Sequence, residues 1–237
     1  MMLLIDAGNS RVKWRLVGEN VLSSGTCTHD APDNLAVCLE TPGITRVLGC
    51  NVAGPAKGEA LATLIARRGL TLEWISSGIQ RCGIHNMYAH PTRLGADRWA
   101  ALIGARGYHP SRDVLVVMAG TATTLDILSA DGRFTGGHIL PGVELMRQAL
   151  SHGTAQLQPT GGRYRSYPRD TADAIVSGCL HAQAGAIERI FRHMNVPGSV
   201  CLLSGGAVDE IEPLLDIPFQ RIDNLVLDGL HRIARAA

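Results

Sequence analysis

Two short segments of this chain combine glycine with small polar residues in the way phosphate binding requires. The first is Asp6-Ala7-Gly8-Asn9-Ser10-Arg11-Val12-Lys13. A strand closes on an acid, Gly8 lets the backbone turn tightly, and exposed amides with the Asn9 and Ser10 side chains can approach phosphate oxygens. Lys13 adds positive charge across the hairpin, and Asp6 suits a hydrated Mg²⁺ held over the phosphates. The second is Gly120-Thr121-Ala122-Thr123-Thr124-Leu125-Asp126, where hydroxyls flank a glycine-led turn and converge as neutral donors. Neither segment has the glycine spacing of a Walker A loop or a Rossmann fingerprint. Each also has an ordinary reading: a hairpin whose Asn and Gly serve turn geometry, and a strand rich in Thr.

Three further segments carry chemical potential. In Leu94-Gly95-Ala96-Asp97-Arg98-Trp99, Asp97 opens an amphipathic helix and is either its N-cap or a base for a substrate alcohol. Arg98 beside it would bind a carboxylate or steady phosphoryl charge. The run from Thr135 to Gly142 leads into a helix over 143–151, with paired glycines for close packing and Pro141 placed to start the helix. His138 within it reads as a ligand contact or as a hydrogen-bonded structural residue. Ser204-Gly205-Gly206-Ala207 follows a strand over 200–203 and suits either a flat ring such as adenine or a plain turn. The nine histidines show no metal spacing and the six cysteines no CxxC pair, so neither a zinc site nor a disulfide framework is expected.

The elements that must hold these residues alternate. Strands are expected over 3–6, 12–17, 46–50, 114–119, 124–129 and 200–204, short and rich in Val, Ile and Leu. Helical periodicity marks 56–68, 97–106 and 171–194, the last capped by Asp170 or Thr171. This alternation predicts α/β layers around a covered sheet. Residues 4–12, moved forward by 112 positions, fall on 116–124, and both copies run from an apolar strand through Ala-Gly into a second strand. Two similar halves follow, joined at the turn-forming run 107–113.

Composition removes other classes. Lys plus Arg is 22 against 21 Asp plus Glu, a net charge of +1, which gives no basic surface for nucleic acid. Apolar runs are too short for a bilayer, and the start Met1-Met2-Leu3-Leu4-Ile5-Asp6 lacks a basic region, so a cytoplasmic protein is expected.

Taken together, the motifs resemble the type III pantothenate kinases of the CoaX type, bacterial enzymes that begin coenzyme A synthesis. The pattern D-x-G-N-[ST]-x-x-K is matched by Asp6–Lys13, G-x-D-R by Gly95–Arg98, G-T-A-T-T by Gly120–Thr124, and G-G-x-I-x-P-G by Gly136–Gly142. A fifth pattern, [ND]-T-x-D-A-[IM]-x-S-G, is matched by Asp170–Gly178, and Tyr88 stands seven residues before Gly95. The resemblance covers nearly the whole chain in the right order. It implies the actin-like ATPase and sugar-kinase fold: two ribonuclease H-like α/β halves, 1–110 and 111–237, with mixed sheets flanked by helices and a cleft between them.

It also implies ATP-dependent phosphorylation of pantothenate. Asp6, Ala7, Gly8, Asn9, Ser10, Arg11, Val12, Lys13 and Thr121 would bind ATP with Mg²⁺. Tyr88, Gly95, Ala96, Asp97, Arg98 and Thr171 would bind pantothenate, with Asp97 as proton acceptor and Thr171 reaching across a homodimer. Ser204–Ala207 would lie near the adenosine. The family's monovalent cation, K⁺ or NH₄⁺, binds an acid two residues before the glycine of G-T-A-T-T. Here that position is Met118, a poor ligand for a hard cation, so the requirement is either lost or met by backbone carbonyls and other groups. A nucleotide-binding regulator, an actin-like ATPase scaffold and a kinase for another alcohol such as a sugar are the rival readings.

Overall fold

A computed structural model describes residues 1–153 and 161–236. The chain divides into two compact units, one of residues 1–111, 132–135 and 224–237, the other of residues 112–131 and 136–223.

The first unit is built on β1 (Met2–Ala7), β2 (Val12–Val17), β3 (Val21–Cys27), α1 (Asp33–Cys38), β4 (Arg46–Asn51), α2 (Pro55–Ala66) and β5 (Leu72–Trp74). Its sheet runs β3-β2-β1-β4-β5, antiparallel through the β1–β2–β3 meander and parallel from β1 to β4 and β5. The strands Leu3–Asp6 and Arg46–Cys50 expected from the sequence thus lie side by side in the centre. Leu3, Ile5, Val12, Trp14, Leu35 and Val47 share one core on the sheet. Trp14 lies where any Cβ at Gly25 would meet its ring at 2.5 Å, and its Nε1 donates to Asn34 Oδ1 at 3.0 Å. That pair ties β3 and α1 to the sheet.

A small hairpin follows, β6 (Gln80–Arg81) and β7 (Ile84–Asn86), turning on Cys82 and Gly83, both at positive φ. Then comes α3 (Ala96–Tyr108), the helix expected over 97–106. Its residues Trp99 to Ile103 are fully buried. Past its end, Arg106 Nη1 donates to the carbonyls of His109 and Pro110, which fixes the start of the joint read at 107–113.

The second unit contains β8 (Val114–Ala119), β9 (Ala122–Leu128), most of β10 (Arg133–Pro141), α4 (Val143–Gly153), α5 (Thr171–Met194), β11 (Val200–Ser204), α6 (Val208–Ile211) and β12 (Phe219–Arg221). β8 pairs antiparallel with β9 and parallel with β11, which pairs parallel with β12. The β1–β2 and β8–β9 hairpins are the two copies of the repeat read at an offset of 112 residues. Asp131-Gly132 turns β9 into β10, with Gly132 at positive φ.

Three local expectations change. β9 begins at Ala122, two residues before the strand read at 124–129, because the turn needs only Gly120 and Thr121. Pro141 does not start α4. It ends β10, and its carbonyl accepts from Gln183 Nε2 at 2.7 Å. The run from Thr135, read only as paired glycines leading into a helix, is the strand β10 as far as Pro141.

The last element, α7 (Leu225–Arg235), belongs to the first unit. It crosses α3 at two glycines. A Cβ on Gly104 would stand 2.4 Å from Leu225 O, and one on Gly229 1.8 Å from Ala100 O. Backbones can approach this closely only where side chains are absent.

Candidate active site

The register of the first sheet puts three sequence-distant groups in one row: Lys13 on β2, Asp6 on β1 and Cys50 on β4. Residues facing each other across neighbouring strands point to the same side. Cys50 Sγ donates to Asp6 Oδ1 at 3.5 Å. Burial and then the charge of Asp97 push the Asp6 carboxyl up to about 6, against the opposing pull of the Cys50 hydrogen bond and Lys13. Asp97 is also raised, by burial, while the Arg98 amide and guanidinium oppose the rise. Burial and both carboxylates lift Cys50 well above the usual thiol range, so it stays a thiol. Asp6 and Asp97, remote in sequence, therefore lie within each other's field.

Asp97 is not the N-cap of α3. Gly95 occupies that place, and Asp97 stands in the first turn with Oδ1 accepting from the Arg98 amide at 2.8 Å. A Cβ on Gly95 would lie 2.6 Å from that same oxygen, so the glycine of G-x-D-R leaves room for the carboxylate. Arg98 is buried, and its Nη1 donates to the Tyr88 hydroxyl at 3.0 Å. Its guanidinium lies 5.6 Å from the Tyr88 ring and 5.9 Å from the Phe134 ring, and those rings are 5.1 Å apart. Such contacts hold a cation by the ring quadrupole. Asn86 accepts from the Tyr88 amide and donates to Pro91 O, while Ser77 donates to Pro91 O and Leu94 O. The segment from Tyr88 to α3 is thereby fixed. Phe134 was missed in the sequence, where nothing but its place after the Asp131-Gly132 turn marks it.

The first hairpin closes through Gly8 N to Arg11 O at 3.1 Å, with Asn9, Ser10 and Arg11 exposed at its tip. The second, in the other unit, closes through Gly120 N to Ala122 O at 3.0 Å, and Thr121 O accepts from Gly142 N at 2.9 Å. Its backbone is crowded by glycines: a Cβ on Gly142 would stand 2.1 Å from Gly120 O, and one on Gly205 2.2 Å from Ala119 O. The Oγ1 atoms of Thr123 and Thr124 are buried and unpartnered among the described residues. Ser204, paired with Met118, ends β11, and Gly205 turns at φ 119°. Thr171 lies elsewhere in this unit, exposed at the start of α5, where Asp170 accepts from the Asp173 amide as the cap. It borders a groove of about 980 Å³ walled by Leu145, Met146, Leu150 and Ile175. Among the sequence-predicted residues, Asp6–Lys13, Tyr88 and Gly95–Arg98 are thus gathered in the first unit, and Thr121 and Thr171 stand on separate elements of the second.

Solved structures with this fold include a candidate 2-dehydro-3-deoxygalactonokinase of Sinorhizobium meliloti, 18% identical with a TM-score of 0.63, covering 100% of this chain and 99% of its own. The ethanolamine utilization protein EutJ of Carboxydothermus hydrogenoformans is 12% identical with a TM-score of 0.56, over 99% and 89%. These share the α/β fold of this chain, with its mixed sheets flanked by helices. A type III pantothenate kinase of Aromatoleum aromaticum is 53% identical, covering 99% of this chain and 98% of that one. Another, from an Azoarcus species, is 46% identical over 100% and 91%. The type III pantothenate kinase family model itself matches residues 2–193. Matched by the family model over residues 2–193 and by relatives end to end, the chain belongs to the type III pantothenate kinase family.

Proposed function

We propose that the protein transfers the γ-phosphoryl group of ATP to the primary hydroxyl of pantothenate, giving 4′-phosphopantothenate and ADP, with Asp97 accepting the hydroxyl proton. The observation that carries this role is the partly buried pair Asp6 and Asp97, one at the end of β1 and the other opening α3 beside Arg98. Asp6–Lys13 and Thr121 serve the phosphates. The Thr123 and Thr124 hydroxyls, unpartnered among the described residues, and the glycine-crowded backbone at Gly142 and Gly205 suit a ligand brought against main chain. Mg²⁺ fits beside Asp6, since two neighbouring carboxylates favour a cation, and when bound it would neutralise charge on the triphosphate. A monovalent cation does not fit Met118, half-buried on β8.

Tyr88 and Arg98 hold pantothenate, the guanidinium pairing with its carboxylate. As the hydroxyl oxygen bonds to phosphorus and ADP leaves, its proton passes to an Asp97 oxygen. Transfer through a loose transition state depends mainly on positioning and charge, and asks for a base only late. Burial around Asp97 raises its proton affinity, which suits that late acceptance. A homodimer through the face bearing Thr171 belongs to the same proposal, as does a cytoplasmic setting. No helix of the described residues is long and apolar enough to cross a membrane.

The test is Asp97→Asn, assayed with pantothenate and a panel of other alcohols, with product mass as readout. The expected outcome is a kcat lower by roughly 10²–10⁴-fold with ATP binding retained. Turnover close to wild type would remove Asp97 from the base role, and a preferred alcohol other than pantothenate would replace the substrate.

A further inference from the structure

Behind the first hairpin, two side chains from different elements hold two consecutive carbonyls. His29, in the turn after β3, places Nε2 2.8 Å from Gly8 O. Lys57, in the first turn of α2, donates from Nζ to Asn9 O at 3.0 Å. A carbonyl only accepts, so His29 carries its proton on Nε2. Both residues line a cavity of about 260 Å³ walled by Pro32, Leu61 and Leu64, with the His29 bond partly buried, where apolar surroundings strengthen it, and the Lys57 bond exposed. Their own positions are fixed. Asn51 at the end of β4 donates to Gly54 O and accepts from the Ala53 amide, and a Cβ on Gly58 would collide with it at 2.4 Å. α2 therefore enters at one angle. The Trp14–Asn34 bond, with Asn34 donating to Thr26 O, fixes the strand end and helix that flank His29.

A trans peptide is planar, with its N–H directed opposite its C=O. Turning Gly8 O toward His29 and Asn9 O toward Lys57 therefore turns the amides of Asn9 and Ser10 the other way, outward at the exposed tip. Two successive amides aimed together are the donors an anion needs. We infer that His29 and Lys57 are positioning residues for the phosphate hairpin, setting the direction of the Asn9 and Ser10 amides without touching the nucleotide. The inference rests on the ATP role given above to Asp6–Lys13. Nothing in the motif pattern singles out either residue, since both act from outside it.

Calorimetry with a non-hydrolysable ATP analogue and Mg²⁺, on the full chain, tests the clamp. His29→Phe keeps a ring without the donor and should weaken binding about fivefold, the worth of one neutral hydrogen bond. Lys57→Met, at an exposed site, should weaken it about threefold. The double variant should lose less than the product of the two, because a hairpin already released has less left to lose. His29→Gln and Lys57→Arg, which restore donors, should recover affinity. kcat at saturating ATP and the KM for pantothenate should stay as in wild type, which a general disruption would not allow. Wild-type affinity in His29→Phe and Lys57→Met, alongside a loss in Lys13→Met, overturns the clamp and leaves the ATP site standing. Wild-type affinity in Lys13→Met as well overturns both. If His29→Phe does not fold, the surface pair Lys57→Met and Lys57→Arg decides by the same readings.

Discussion

At the scale of single residues, the acids of the candidate site are held at a cost to the fold. A carboxyl raised from 3.8 to about 6 binds its proton more tightly in the folded chain than in the unfolded one. Below pH 4 both states keep the proton and Asp6 contributes nothing. As pH rises from about 4 to 6 the unfolded chain releases its proton first, so stability falls, and above 6 the loss levels off. Asp6→Asn should therefore stabilise the ligand-free protein at pH 7 by about 3 kcal/mol while abolishing activity. Urea midpoints at pH 4 and pH 7 check this, and an equal effect at both would refute the assignment. In the proposed role the same carboxyl meets Mg²⁺ only when ionised, so kcat/KM for ATP should fall on the acid side near pH 6 rather than near 4. Met118 leads to a different kind of outcome. A thioether cannot replace a carboxylate for a hard cation, so rates in K⁺, NH₄⁺ and tetramethylammonium should agree closely. A steep K⁺ dependence would mean that other oxygens, such as the Thr124 hydroxyl opposite Met118, rebuild the site.

At the scale of elements, close backbone contact decides what can change. Gly229 lets α7 lie against α3 with a would-be Cβ only 1.8 Å from Ala100 O. Ala is the better helix former by about 1 kcal/mol, yet backbone cannot yield as a side-chain tip can. Gly229→Ala should thus lower stability by about 1–3 kcal/mol, read as a drop in the urea midpoint, and a gain would show that α7 can move away freely. The contrast with α5 explains how much could be read in advance. Thr171–Met194 shows regular periodicity and an Asp cap, both local properties, and its bounds were read correctly. α7 has periodicity too, but its place is set by the approach of Gly229 to Ala100 and of Leu225 to Gly104, each pair more than a hundred residues apart. β10 was hidden for a related reason. Gly136, Gly137 and Pro141 have low strand propensity, and β10 starts against the short β7 at Arg133↔His85, a pairing that no local pattern announces. Within the site, Asp6, Asp97 and Arg98 were legible because motifs carry them. Cys50 and Phe134 were not, since a parallel register and an aromatic contact bring them in.

At the scale of the whole molecule, apolar surface bears on the proposed homodimer. The net charge is only +1, so long-range steering between two copies of the chain is weak. The wall of the groove at α4 and α5, in contrast, exposes Leu145 at 43% and Leu150 at 40%, and Thr171 sits on its rim. A second copy of the chain seated there would cover the leucines and bring Thr171 to a site on its neighbour, as the family resemblance implies. A stable interface needs roughly 1,000 Å² of buried surface or more, and a charge placed at its centre opposes it strongly. Leu150→Asp should accordingly shift the protein from dimer to monomer in sedimentation equilibrium. If Thr171 acts across the interface, the KM for pantothenate should rise in step with that dissociation while ATP affinity holds. Wild-type protein that sediments as a monomer and still phosphorylates pantothenate at full rate would refute the shared site. A monomeric Leu150→Asp with an unchanged pantothenate KM would assign Thr171 to its own chain or to no substrate contact.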